Sequence, residues 1–291
     1  MTEQVTYKRL NRLKKPKRWR NIRDIFRDIF IVSGKLFPSL YKRYIDHSFG
    51  KASPWTYLVY SEGRAGTMSL CKSLITQGFT PSIHIHMLNP DNIRKAFYPP
   101  SRNGLIFYNA IVQRKKPLKI ITITRNPIDR CISWFFRELS KKPRETLLLN
   151  AEETVKQFTE LHSSFIPPDW FTHELKPVLG IDINQYDFPL DKGYLILKKD
   201  NVEMLMMRLE LDNSIREKLL CDFLPANSFS WDREKNAIAG TEISSIYKKF
   251  KQEAVIPEEL LRNIVKEHYA SKFYSEEFLE SRIRFWSCAR S

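Results

Sequence analysis

Arg64, Thr67 and Ser69 fall within the short stretch Ser61-Glu-Gly-Arg-Ala-Gly-Thr-Met-Ser69, which joins a fixed positive charge and two hydroxyls to the glycines Gly63 and Gly66. Residues of these types bind oxyanions: arginine stays charged, hydroxyls donate, and glycine lets the backbone curl around a small ligand. A second set follows at Arg125, Arg130 and Ser133, and between the two sets lie His84 and His86. Histidine changes charge near neutral pH and so can carry a proton in a reaction. Two cationic clusters flanking a pair of histidines suggest chemistry on a phosphate- or phosphosulfate-type anion.

The first cluster needs a strand that turns sharply into a helix. Tyr57–Tyr60 reads as a short buried strand, Ser61–Gly66 as a tight loop and Thr67 to about Gly78 as an amphipathic helix. The first N–H groups of such a helix have no partner within it, and its dipole adds positive potential there. Backbone donors from Ala65, Gly66, Thr67, Met68 and Ser69, with Arg64, are therefore the candidate anion cradle. The triphosphatase pattern G-x-x-x-x-G-K-[ST] is absent: counted from Gly63, its Gly and Lys positions hold Met68 and Ser69. A purely structural strand–helix turn is the competing explanation.

The second cluster rests on the β-branched run Ile120–Thr124, of strand type, and on Pro127, which suits the first turn of a helix. Arg125 ends the strand and Ser133 lies two turns into the helix, so the two can reach opposite sides of one phosphate. Taken alone, this segment is equally a helix start with a solvated arginine.

Together, Arg64-Ala-Gly-Thr-Met-Ser-Leu70 and Arg125-Asn-Pro…Arg130…Ser133 resemble the two nucleotide motifs of the sulfotransferase superfamily. The resemblance implies a P-loop-like three-layer α/β/α sandwich around a mainly parallel sheet. It also implies 3′-phosphoadenosine 5′-phosphosulfate as co-substrate, with the 5′-phosphosulfate on the first motif, the 3′-phosphate on Arg125 and Ser133, and no metal. Arg64 stands where that family usually has lysine, and it can act only electrostatically.

His84-Ile-His86 is similar to the His-x-His of the uronyl 2-O-sulfotransferase branch, which implies His86 as the base and His84 as its catalytic neighbour. Without the resemblance, two histidines on one strand face are better explained as structural residues. The nearby cysteines and carboxylates lack zinc-ligand spacing. Further on, Trp170-Phe-Thr-His-Glu-Leu-Lys176, Gly180-Ile-Asp-Ile-Asn184, Gly193-Tyr-Leu-Ile-Leu197 and Phe273–Glu277 are similar to bacterial capsular polysaccharide synthesis proteins. The acceptor implied is a carbohydrate hydroxyl.

Composition sets the remaining bounds. The 291 residues suffice for a large core, and a formal charge of +15 calls for an anionic partner. Stacking-aromatic RNA or DNA motifs are missing, which argues against nucleic acid. Four separated cysteines without a CxxC read as free thiols of a reducing compartment. Residues 1–50 form a basic N-terminal segment, in which residues 19–45 have the amphipathic pattern of a helix lying on an anionic membrane or on the domain's own core. The remainder, 51–291, is one α/β domain. No apolar run reaches the roughly 20 residues of a spanning helix or the 7–15 of a signal core, so a cytoplasmic enzyme, peripheral to the membrane at most, is expected.

Several finer expectations follow. Tyr194–Leu197 is the next parallel strand, and Met204–Leu209 belongs to a helix packing into the core. The loop Asn227–Gly240, with Trp231 and Asn236, closes over the nucleotide; His173, Glu174 and Asp182 lie along an acceptor cleft. Two other functions fit the same residues: a phosphotransferase using a nucleoside triphosphate, and a non-catalytic basic protein that binds membrane or polysaccharide.

Overall fold

The computed structural model describes residues 55–79, 82–95, 104–105, 107–113, 115–141, 150–161, 169–231, 242–266 and 269–289. The N-terminal segment 1–50 and Asn236 lie outside these residues.

Five strands form one sheet in the order β2-β1-β3-β5-β4. They are β1 (Thr56–Tyr60), β2 (Ser82–Ile85), β3 (Leu118–Thr124), β4 (Tyr194–Lys199) and β5 (Val202–Arg208). β1, β2, β3 and β5 run parallel, and β4 is an antiparallel edge. Every residue of β1 and β3 is buried, as expected of strands covered on both faces. The fold is thus α/β with a mostly parallel central sheet.

Alternation along the strands fixes what covers each face. Tyr57, Val59, Ile121, Ile123, Leu205 and Met207 point to one side, where they meet helices α1 (Thr67–Thr76) and, after β5, Asn213–Phe223. On the other side Tyr60 packs edge-on against Trp170, with ring centroids 4.7 Å apart. Helix α2 (Pro90–Lys95) follows β2, and α3 (Pro127–Leu139) follows β3. A second apolar core joins α3 to α4 (Ala151–Leu161) and to the C-terminal helices Glu242–Glu253, Glu258–Val265 and Glu276–Ser287, through Phe135, Phe136, Phe158, Phe250 and Trp286.

Two expectations are corrected here. Tyr194–Lys199 pairs antiparallel with β5, and the methionine-rich run is itself the strand β5. Asp200, at φ 51°, makes the tight turn that folds β4 back on it. Met and Leu favour helix in isolation, but a short apolar run buried between β3 and β4 is equally a core strand, and burial overrides propensity. The expected helix over Trp170–Leu179 forms as a π-turn, Phe171–Leu175, continued by α5 (Lys176–Leu179), and it stops at Gly180 in the left-handed region.

β2 and β3 flank β1 on opposite sides, so the chain reverses its direction of travel across the sheet at β1. The crevice beyond the carboxyl ends of β1 and β3 is the topological switch point, where open α/β sheets place their ligands.

Candidate functional site

Both sequence clusters arrive at this crevice. Ser61 closes the end of β1 by accepting a hydrogen bond from Ile123 N and donating to Ile123 O on β3. Glu62 then turns inward to an ion pair with Arg130 of α3 at 3.0 Å, with both side chains no more than 2 % exposed. Arg130 is also held over the Tyr269 ring. The second arginine of the Arg125–Ser133 motif is therefore an internal strut tying the loop to α3.

Past this strut the loop takes two left-handed residues, Arg64 and Gly66, each at φ 74°. Glycine adopts that geometry freely. Arginine does so at a cost of about 1–2 kcal/mol, so the Arg64 backbone is held by its surroundings. Its carbonyl accepts from Arg125 Nη1 at 3.1 Å, and its guanidinium donates to Ser133 Oγ from Nη2 at 3.0 Å and Nε at 3.2 Å. Arg64 thus stands between Arg125 and Ser133, and one charged cluster spans loop, strand end and α3.

Arg137 lies one turn beyond Ser133 on α3 and is exposed. Burial, with the nearby charges of Arg137 and Arg125, brings the Arg64 guanidinium down to about 10, so it remains charged at neutral pH. Asn126 fixes the start of α3. Its side chain caps Asp129 N and donates to Glu210, and Asp129 is held in turn by Arg282 and Trp286.

At the start of α1, Gly66 is the N-cap, no side chain caps the helix, and no acidic residue occupies the first turn. The first N–H groups of α1 are therefore available to an anion. The Ser69 hydroxyl donates to Gly66 O and accepts from Trp231 Nε1 at 3.0 Å, so its proton is spent inside the loop. Ser69 can offer a ligand only its backbone N–H. A Cβ on Gly66 would lie 3.4 Å from Leu209 and 3.6 Å from Trp231. Trp231, expected in a closing loop, is thus a wall of the cradle, braced by Arg216 against its ring.

The histidines border the cradle. His84 Nε2 is 2.7 Å from Thr67 Oγ1, and the His84 and His86 rings meet edge-on with centroids 4.5 Å apart. Burial, helped by the charge of His86, lowers His84 to about 4, so its ring is neutral near pH 7. His86 Nδ1 lies 2.7 Å from the Ser61 carbonyl. A carbonyl can only accept, so Nδ1 carries the proton and Nε2 of the neutral ring keeps its lone pair. Burial lowers the His86 pKa; the Ser61 bond opposes this, while the charges of Arg64 and Arg137 add to it. The site therefore holds a neutral imidazole, with Nε2 unprotonated, beside the guanidiniums of Arg64 and Arg137.

Of the expected cleft residues, Asp182 caps a 3-10 turn and pairs with Lys176, a structural role. Glu174 is buried and accepts from Tyr60 and from the backbone after β2. Its spacing four residues after Trp170, on one helical face, was the available signal. Cys71 and Cys131 are buried in α1 and α3 as free thiols.

Residues 146–275 match a family model described as "Putative capsular polysaccharide synthesis protein". The match takes in Trp170, Glu174 and Trp231, whereas Arg64, His86, Arg125 and Ser133 precede it. No curated protein matches the chain, and no solved structure does.

Proposed function

We propose that the protein is a sulfotransferase of surface or capsular polysaccharide synthesis, moving a sulfuryl group from 3′-phosphoadenosine 5′-phosphosulfate to a sugar hydroxyl. The observation that carries this reading is the convergence of Arg64, Arg125 and Ser133 at the β1/β3 switch point, with the His86 ring alongside. The donor set suits a nucleotide with two separate anionic groups. One group fits the α1 N-terminus and Arg64, and the other fits Arg125 and Ser133 once Ser133 is released from Arg64. The match to a capsular polysaccharide family supports the carbohydrate acceptor.

When bound, the co-substrate supplies the sulfuryl group and a phosphate leaving group. His86 Nε2 takes the proton of the acceptor hydroxyl as that oxygen bonds to sulfur, while the bond from sulfur to the bridging phosphate oxygen breaks. Arg64 and the first N–H groups of α1 neutralise the charge gathering on that oxygen, an electrostatic contribution worth several kcal/mol in a dry site. Arg64 donates no proton, and the nucleotide leaves as its phosphate anion. His84 keeps Thr67 in place.

Transfer of radiolabelled sulfate from the donor to a panel of polysaccharides tests the reading. Label should enter a polysaccharide with the wild-type chain and fall at least 100-fold with His86→Asn. Phosphate transfer from ATP with magnesium, without sulfate transfer, would replace this reading with a phosphotransferase.

A further inference from the structure

His86 lies just past the end of β2, where a strand no longer fixes the backbone, yet its ring must present Nε2 to a reacting hydroxyl. Two side chains from the Trp170–Leu175 turn grip that backbone. Trp170 Nε1 donates to the His86 carbonyl at 2.8 Å. Glu174 Oε2 accepts from Leu88 N and Asn89 N, each at 2.9 Å, and Oε1 accepts from Asn92 Nδ2 at 2.6 Å. The same Oε2 accepts from Tyr60 Oη at 2.9 Å, and the Tyr60 ring packs against Trp170.

Tyr60 immediately precedes Ser61, whose carbonyl holds His86 Nδ1–H. One buried carboxylate therefore ties together both ends of the histidine's hydrogen bond: the β1 terminus that accepts it and the chain that carries the ring. Tyr60 keeps its proton for this bond, because burial and the neighbouring Glu174 charge raise its pKa.

We infer that Glu174 and Trp170 are positioning residues for His86, setting its tautomer and the aim of Nε2 through Tyr60, Ser61 and the Leu88–Asn89 backbone. The inference rests on the sulfotransferase reading only for the reaction that His86 serves; the geometric claim stands apart from it. It also gives the segment matched to the capsular family, which already supplies the cradle wall Trp231, a second task at the site.

The test uses full-length protein with 15N-labelled histidine, followed by NMR titration of the imidazoles. Wild-type His86 should show the Nδ1–H tautomer and titrate below an ordinary histidine. Glu174→Ala should mix the tautomers and move the titration up toward the ordinary value as water enters. Glu174→Gln, which still accepts from Tyr60 and the backbone N–H groups, should restore most of the wild-type behaviour. Trp170→Phe keeps the ring packing and removes one donor, so it reports even where Glu174→Ala does not fold. In sulfate transfer, Glu174→Ala and Trp170→Phe should lower kcat by about ten- to a hundredfold, with donor binding within twofold of wild type.

Folded variants with the wild-type His86 tautomer and titration would overturn the inference. Failure of the wild-type chain to transfer sulfate, with the NMR shifts as described, would count against the sulfotransferase reading and support the positioning role.

Discussion

Arg125 and Arg130 come from one short motif, but only Arg125 ends beside open loop backbone. Arg130 is sealed against Glu62. Arg130→Met should take the ion-pair partner from a buried carboxylate and cost about 3–5 kcal/mol, read as a lower urea midpoint, with part recovered by adding Glu62→Gln. An unchanged midpoint would refute the strut. The hydroxyl of Ser69 is committed within the loop, so Ser69→Ala should change nucleotide affinity less than about threefold, whereas Arg64→Ala should cost tenfold or more in calorimetric titration. His84 has a pH signature. The folded chain keeps it neutral to about pH 4, against 6.5 for an ordinary histidine. The stability this contributes is complete above about pH 6.5 and is lost as pH falls toward 4, by up to about 3 kcal/mol. Urea unfolding at pH 4.5 and 7 should show the loss in wild type and a smaller one in His84→Gln.

At the scale of elements, the strand–loop–helix unit β1–α1 and the unit β3–α3 were both legible, because β-branched runs, Gly66 and Pro127 are local signals. The β4–β5 hairpin was not. A buried Met-Leu run has no period that separates strand from helix, and the deciding turn at Asp200 needs no glycine. The ion pair Glu62–Arg130 and the brace Trp231–Ser69 were hidden for another reason, since they join residues far apart in the chain. The backbone of the loop carries its own prediction. Gly66→Ala must hold φ 74° with a Cβ against Leu209 and Trp231, and should lose about 1–2 kcal/mol in urea unfolding together with nucleotide affinity. Wild-type affinity in that variant would mean that the left-handed turn is not needed for the cradle.

Over the whole molecule, the mostly parallel sheet places two sequence-distant motifs on either side of one switch point, which is why residues about sixty positions apart share a site. The net charge of +15 gives an anionic ligand or substrate a favourable approach, but it does not distinguish one anion from another. In the proposed function that discrimination falls to Arg64, Arg125 and Ser133, and a thermal-shift comparison of nucleotides measures it most directly. Saturating 3′-phosphoadenosine 5′-phosphate should raise the Tm by about 5–10 °C, AMP, ADP and ATP with magnesium by far less, and Arg125→Ala should remove the difference. Equal stabilisation by ADP, or a full shift retained in Arg125→Ala, would contradict a site that grips both ends of one doubly phosphorylated adenosine.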